Sequence, residues 1–388
     1  MKNLLFGGCL LLALASCAGS GSKESATASE ELTMSGLNPE LFERSYDGQE
    51  TRLIKLTNTN GMEVCVTNLG GRIVSVMVPD KLGEMKDVVL GFDSVGAYRP
   101  DVNNSDFGAS IGRYANRINQ GKLTIGGETI QLPQNNYGHC LHGGPDGWQY
   151  KIFGIGETTS NSVQLLIDSP DGDMNFPGHV NATVTFTLTD DNAIDIVYGG
   201  TTDKETVLNM TNHSYFNLSG DPNRDILDHL LTVDAEGFTP VDETFMTSGE
   251  IAPVEDTPMD FRAPKAVGTD INKEDFEQIK NGGGYDHSWV LNTKGDETKV
   301  CARLECPETG IVMEVFTNEP GIQIYSGNFL DGTAVGKKGI TYNKRHAICL
   351  ETGKYPDSPN KNWPECNTYL KPGEKYYSRC IYKFSVKK

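Results

Sequence analysis

The alternation of side chains from Val180 to Tyr198 constrains the fold more than any other stretch. Val180, Ala182, Val184, Phe186 and Leu188 are apolar, and Asn181, Thr183, Thr185, Thr187 and Thr189 stand between them. Successive side chains of a strand point to opposite faces, so this pattern makes one apolar face and one polar, largely β-branched face. Asp190-Asp191-Asn192 supplies a turn, and Ile194, Ile196 and Tyr198 resume the alternation. The segment reads as a β-hairpin in a half-buried antiparallel sheet. Similar runs recur at Arg72 to Val78, Ser162 to Ile167, Ile311 to Phe316 and His346 to Leu350. Clusters of Gly, Asn, Asp and Pro separate them, and 43 glycines form a turn-rich complement. Helical periodicity is scarce; Asp270 to Lys280 is the best stretch for a helix of about two turns. The expected fold class is all-β, a large antiparallel β-sandwich with few short helices. No internal repeat or Pro-rich linker divides the chain, so one large domain is expected from its 388 residues.

The N-terminus reads as a targeting segment. Lys2 precedes an apolar run, Leu4 to Ala15, that is too short to span a bilayer as a helix. It ends in Leu14-Ala15-Ser16-Cys17, which resembles the lipobox of bacterial lipoproteins, where the signal is cut before a cysteine that then carries lipid. The resemblance implies a signal peptide over 1–16 and lipidation at Cys17. The small, polar and acidic residues that follow read as a flexible tether within 17–35. The alternative is an ordinary secretory peptide cleaved near Ala15 or Ala18. The folded domain is expected over 36–388, anchored by lipid in a bacterial cell envelope and facing the periplasm. A formal charge of −18 argues against nucleic acid as a partner, because the phosphate backbone would repel this surface. Cys9 leaves with the signal and Cys17 is the lipid site. Cys65, Cys140, Cys301, Cys306, Cys349, Cys366 and Cys380 remain, an odd number that cannot all pair within the chain. A domain of this size builds its core without disulfides, so buried thiols are expected.

Two polar stretches carry candidate chemistry. Thr211-Asn212-His213-Ser214-Tyr215-Phe216-Asn217-Leu218 sets a histidine among hydrogen-bonding side chains. Its reference pKa of about 6.5 lets it hold a transferable proton near neutrality. Far downstream, Glu351 follows the apolar stretch Ala347 to Leu350, which predicts a place at a strand end. Its bland reading is a surface ion pair with Lys354 or Arg345. If the fold joins His213 to Glu351, a general acid and a general base face one small substrate. Tyr137, Trp148, Tyr215, Phe216, Trp289, Tyr325, Tyr355 and Trp363 lie among polar residues. Aromatic faces beside amides and carboxylates suit sugar binding, whereas core packing is the commoner role of any one of them.

With these residues in view, the chain resembles the aldose 1-epimerases, or galactose mutarotases, over nearly its whole mature length. The matching segments keep the family's order: Gly112-Arg113-Tyr114-Ala115-Asn116-Arg117-Ile118, Leu141-His142-Gly143-Gly144, Ser169-Pro170-Asp171-Gly172 with Phe176-Pro177-Gly178, the His213 segment, Val241-Asp242-Glu243-Thr244, Tyr285-Asp286-His287, Gly321-Ile322-Gln323-Ile324-Tyr325-Ser326-Gly327-Asn328, and the Glu351 segment. The resemblance implies a galactose mutarotase-like sandwich that interconverts the α and β anomers of a free aldose of the glucose and galactose class, without metal or organic cofactor. It implies that His213 protonates the ring oxygen and that Glu351 takes the proton of the C1 hydroxyl. It further implies that His142 bonds the sugar near the reacting oxygens, that Asn116 and Arg117 contact hydroxyls, that Asp286 holds hydroxyls further round the ring, and that Gln323 lies near the base. A monomer is expected.

The physics accords with these roles. Opposite charges favour a protonated His213 and an ionised Glu351 at the start, with coupled titrations. A buried Arg117 needs Asp286 or a ligand beside it. Other candidates read as structural: His139-Cys140-Leu141-His142 has no second ligand cluster for a metal, and His287 merely adjoins Asp286. Gly112 and Gly143-Gly144 read as tight turns and close backbone approach, and Gly282-Gly283-Gly284 lacks the context of a phosphate loop. Gly353 stands where many family members have glutamine, which leaves the sugar preference open. Three rivals remain: a relative acting on a phosphorylated sugar, a non-catalytic sugar-binding lipoprotein of the same fold, and a glycosidase using Glu351 and Asp286.

Overall fold

The computed structural model describes residues 31–103, 105–361 and 363–387. The signal segment and Cys17 lie outside the described residues. The expected hairpin is present: Val180–Leu188 pairs antiparallel with Ala193–Thr202, from Val180↔Thr202 to Leu188↔Ile194. Asn192 takes the left-handed conformation (φ 63°) that its short polar side chain tolerates in a turn. Val180, Val184, Phe186 and Leu188 are fully buried, as the alternation requires.

This hairpin lies within a nine-stranded antiparallel sheet that also contains Ser162–Ser169, Tyr376–Val386 and Ile311–Thr317. A four-stranded sheet holds Glu63–Thr67 and Arg72–Pro79. A five-stranded sheet runs in the order Ala252–Pro253, Ala235–Thr239, Asp286–Leu291, Gly321–Tyr325, Cys349–Gly353. One continuous core takes apolar side chains from all three, among them Val66 and Ile73, Leu165 and Val184, and Trp289, Ile322 and Leu350. Burial of such side chains supplies most of the drive to fold.

Period two also decides what the five-stranded sheet offers. Trp289 pairs with Ile322, and Ile324 with Leu350; these face the core. The opposite face therefore receives Asp286, Gln323, Tyr325 and Glu351, because Asp286 pairs with Tyr325 and Gln323 with Glu351. Three strands distant in sequence thus deliver two carboxylates, an amide and a phenol to one surface.

Three expectations need correction. The run His346 to Leu350 is not a strand; the strand is Cys349–Gly353, and Ile348 instead bridges Phe216. Glu351 consequently sits mid-strand, not at a strand end. The helix expected over Asp270 to Lys280 is confined to Glu277–Gly282, the α-helix among the described residues. Asp270 is engaged otherwise: its carboxylate pairs with Lys265 and Lys273, and its carbonyl accepts from the Lys273 N–H. Packing also begins before residue 36, since Thr33 and Ser35 are buried and the Met34 N–H donates to Glu63. All seven described cysteines are buried and unpaired.

Candidate active site

The strand pair Arg117–Ile118 and Cys140–Leu141 brings two site segments together, with Leu141 opposite Arg117. His142 follows directly, and its Nδ1 accepts from the Asn116 N–H at 3.1 Å. That bond fixes the tautomer: neutral His142 carries its proton on Nε2. Burial, with His213 and Arg117 nearby, pushes its pKa well below the usual histidine value. Behind it, Gly143 adopts φ +79°, and a Cβ there would lie 2.1 Å from the Gly112 carbonyl oxygen. At Gly112 a Cβ would meet the Trp148 ring at 2.1 Å. Both glycines are dictated by close approach, as expected.

His213 ends the strand Thr211–His213, which pairs with Ala109–Ile111. Its Nε2 lies 3.4 Å from Glu351 Oε1, and both residues are nearly inaccessible. Gln323 donates from Nε2 to Asp286 Oδ1 at 2.7 Å. The Arg117 guanidinium donates from Nε to Asn136 Oδ1 at 3.1 Å and lies 4.8 Å from the Phe245 ring centroid. Asp286 and Glu351 provide the charge that opposes it within the cavity, while burial lowers its pKa. Every residue expected at the site, namely Asn116, Arg117, His142, His213, Asp286, Gln323 and Glu351, lines one cavity of about 290 Å³. A larger concavity of about 820 Å³ lies by Asp168 and Asn181 and holds none of them.

The protonation pattern departs from expectation. Burial lowers His213 and outweighs the opposing pull of Asp106. Burial, then Asp286 and Asp106, raises Glu351 well above the usual carboxylate value. Asp286 is raised too, again by burial first. Burial therefore pulls the pair away from the ion pair and toward neutral His213 with protonated Glu351. The two forms differ by one proton moved between the partners.

The bland readings sort clearly. Glu351 has no surface ion pair: Lys354 bonds Glu319, and Arg345 bonds Asn272. His139 is held by the Thr244 hydroxyl and the Gln120 N–H. Its ring nitrogens are thus both engaged, and the His139-Cys140-Leu141-His142 run makes no ligand set. His287 accepts from the Asp286 N–H and is pushed down to about 3 by burial. Trp148, Trp289 and Tyr355 are packed in the interior.

A family model described as aldose 1-epimerase matches residues 52–383. The chain belongs to the aldose 1-epimerase family. It is 40% identical to galactose mutarotase of Mus musculus over 326 residues, covering 84% of this chain and 92% of that one. It is 38% identical to aldose 1-epimerase of Escherichia coli over 340 residues, covering 87% and 96%. Among solved structures, an aldose epimerase homologue from C. elegans superposes with a TM-score of 0.78 at 30% identity, covering 87% of this chain and all of that one. Galactose 1-epimerase from Lactobacillus acidophilus gives 0.78 at 28% identity, covering 89% and 97%.

Against that family background, Gly353 lies opposite Gly321, and a Cβ on Gly353 would find the Asn209 amide at 3.4 Å, an ordinary contact. Tyr355 covers the neighbouring Gly321, within 2.7 Å of where its Cβ would be. The neighbour thus fills space beside the glycine, and residue 353 does not line the cavity of this epimerase-family chain. Sequence reasoning missed Asp106, Phe245 and Phe329. Asp106 lines the cavity, with donor atoms of Asp106, His142 and His213 within 4.8 Å of one another. Its one local signal is a carboxylate just before Phe107-Gly108, which points to no chemistry.

Proposed function

We propose that the chain is an aldose 1-epimerase that interconverts the α and β anomers of a free aldose of the glucose and galactose class. The observation that carries the reading is the buried His213–Glu351 pair at 3.4 Å, at the base of a cavity lined by Asp286, Gln323, Asn116 and Arg117. Opening a pyranose needs a proton given to the ring oxygen and one taken from the C1 hydroxyl. A pair sharing one proton supplies an acid and a base together. Protonated His213 gives its proton to the ring oxygen while ionised Glu351 takes that of the C1 hydroxyl, and the C1–O5 bond breaks to leave the aldehyde. The pair is then neutral His213 and protonated Glu351, the form that burial favours. The carbonyl turns its other face, and reclosure runs the transfers backwards. His142 offers Nε2–H to an oxygen near the reacting centre; Asp286, Gln323, Asn116 and Arg117 hold the other hydroxyls. Asp106, Asp286 and Glu351 line the cavity together with Arg117, the one arginine or lysine among its described lining residues, which favours a neutral sugar over a phosphorylated one.

The test is polarimetry of freshly dissolved α-D-glucose and α-D-galactose. Faster relaxation to an unchanged final rotation supports the reading. No acceleration by folded protein that still binds sugar would leave the non-catalytic reading. A lipid anchor at Cys17 and a periplasm-facing location complete the proposal, motivated by Leu14-Ala15-Ser16-Cys17. Cys17→Ala should then release the protein from the membrane fraction; unchanged fractionation would overturn the anchor.

A further inference from the structure

A path of aromatic rings leads from the catalytic cavity to solvent. Tyr325 lies 6.3 Å from the His213 ring centroid, and Phe329 stacks on Tyr325 at 6.0 Å and 17°. Phe245 meets Phe329 at 5.5 Å, and Tyr137 meets Phe245 at 5.4 Å. Phe329 and Tyr137 are 53% and 58% accessible, whereas Tyr325 and Phe245, at 7% and 5%, anchor them to the cavity wall. A contiguous patch of exposed rings, unlike scattered single ones, marks a binding surface.

These rings are held in place by the backbone. Tyr137 and Gly138 form the centre of a tight turn, with φ 47° and 80°, closed by the His139 N–H on the Asn136 carbonyl. Positive φ at both central residues marks a type I′ turn, which presents Tyr137 at its tip. The Phe245 N–H closes a turn on the Asp242 carbonyl, and its ring lies against the Arg117 guanidinium. The Phe329 N–H donates to the Tyr325 hydroxyl, which ties the outer ring to the cavity wall.

We propose that Tyr137, Phe245 and Phe329 form a shelf for a second sugar unit, so that the preferred substrate is the reducing end of a disaccharide or longer oligosaccharide. The inference rests on the epimerase reading. A pyranose with its C1–O5 edge against His213 and Glu351 turns its far carbons to the mouth. A glycosidic bond there continues the chain onto the shelf. The C–H face of a pyranose covers an aromatic ring, and its hydroxyls remain in water. Tyr137 and Phe329 line the same cavity of about 290 Å³ as His213 and Glu351, so the shelf is continuous with the site that holds the reacting sugar.

The test compares glucose and galactose with lactose, maltose and cellobiose, in both polarimetric kinetics and calorimetric binding. The native chain, Tyr137→Asn and Tyr137→Phe are used. Asparagine tolerates the left-handed backbone, so the fold is kept while the ring is lost. The expected result is a KM or Kd for at least one disaccharide about two- to tenfold below that of the free monosaccharide. Tyr137→Asn should abolish this advantage and Tyr137→Phe retain it, the loss falling on the disaccharide rather than equally on both sugar classes. Calorimetry keeps the inference separate from the reading it rests on: a disaccharide advantage in binding, lost in Tyr137→Asn, supports the shelf even without turnover. Equal affinity for both sugar classes, or an equal loss for both in Tyr137→Asn, overturns it. So does a change in sedimentation without a change in sugar affinity, which would assign the rings to contact with a second copy of the chain.

Discussion

Gln323 and Glu351 are direct cross-strand partners, and Gln323 also donates to Asp286 from the same face of its sheet. The amide therefore holds one carboxylate by a hydrogen bond and stands directly opposite the other, so that three adjacent strands present a single array. Sites built on strands hold their groups more closely than sites on loops.

The array sets a pH dependence. The productive pair carries one proton. A second proton is gained at His213, whose affinity burial lowers, and the single proton is lost from Glu351, whose pKa burial raises. The rate should be bell-shaped, falling in acid below the ordinary histidine value and in alkali above the ordinary carboxylate value. Asp106 raises both groups. Asp106→Asn should therefore move both limbs to lower pH, read from kcat between pH 4 and 10 at about unit intervals. Unmoved limbs would contradict the role given to Asp106.

Glu351 should cost the fold stability at neutral pH. Its folded pKa lies above its unfolded one, so its favourable contribution is present below the unfolded value and lost as pH rises through the folded value. Glu351→Gln does not titrate. Its melting temperature should exceed that of the native chain by an amount that grows as pH rises above the ordinary glutamate value, on the order of 1 kcal/mol, or a few degrees. A gain that is largest in acid would reverse the sign and refute the account.

Gly143→Ala should be destabilising by about 1–3 kcal/mol through overpacking, since its Cβ would strike the Gly112 carbonyl oxygen at 2.1 Å. It should also lower kcat/KM by displacing His142. Gly172→Ala is the control: it shares a positive φ of 85° but meets nothing within 4 Å. It should cost about 1 kcal/mol and leave kcat/KM intact. Thermal melts and polarimetry on both variants check this.

What could be read from the sequence divides along physical lines. The hairpin from Val180 was legible because period two is a local signal. The meeting of His213 with Glu351 was legible, since both stand in motifs, but the strand position of Glu351 was not. That position is set by pairing with Gly321–Tyr325, a non-local contact. The helix near Asp270 is shorter than expected because Asp270 instead anchors a local turn, its carboxylate pairing with Lys265 and Lys273 and its carbonyl accepting from the Lys273 N–H. The opposed shifts of His213 and Glu351 were missed because burial is not written in residue spacing. Asp106 and the Tyr137–Phe245–Phe329 shelf come from loops that only the fold assembles.

The central claim is that His213 and Glu351 act as one proton-sharing unit. The most direct measurement is the polarimetric rate on α-D-galactose for the native chain, His213→Asn, Glu351→Gln and the double variant, each confirmed folded by circular dichroism. The account predicts that each single variant loses about 10²–10⁴-fold in kcat. The double variant should lose little more than either alone, because residues acting as a unit are not additive. Native-like rates in either single variant, or losses that multiply in the double, would contradict it.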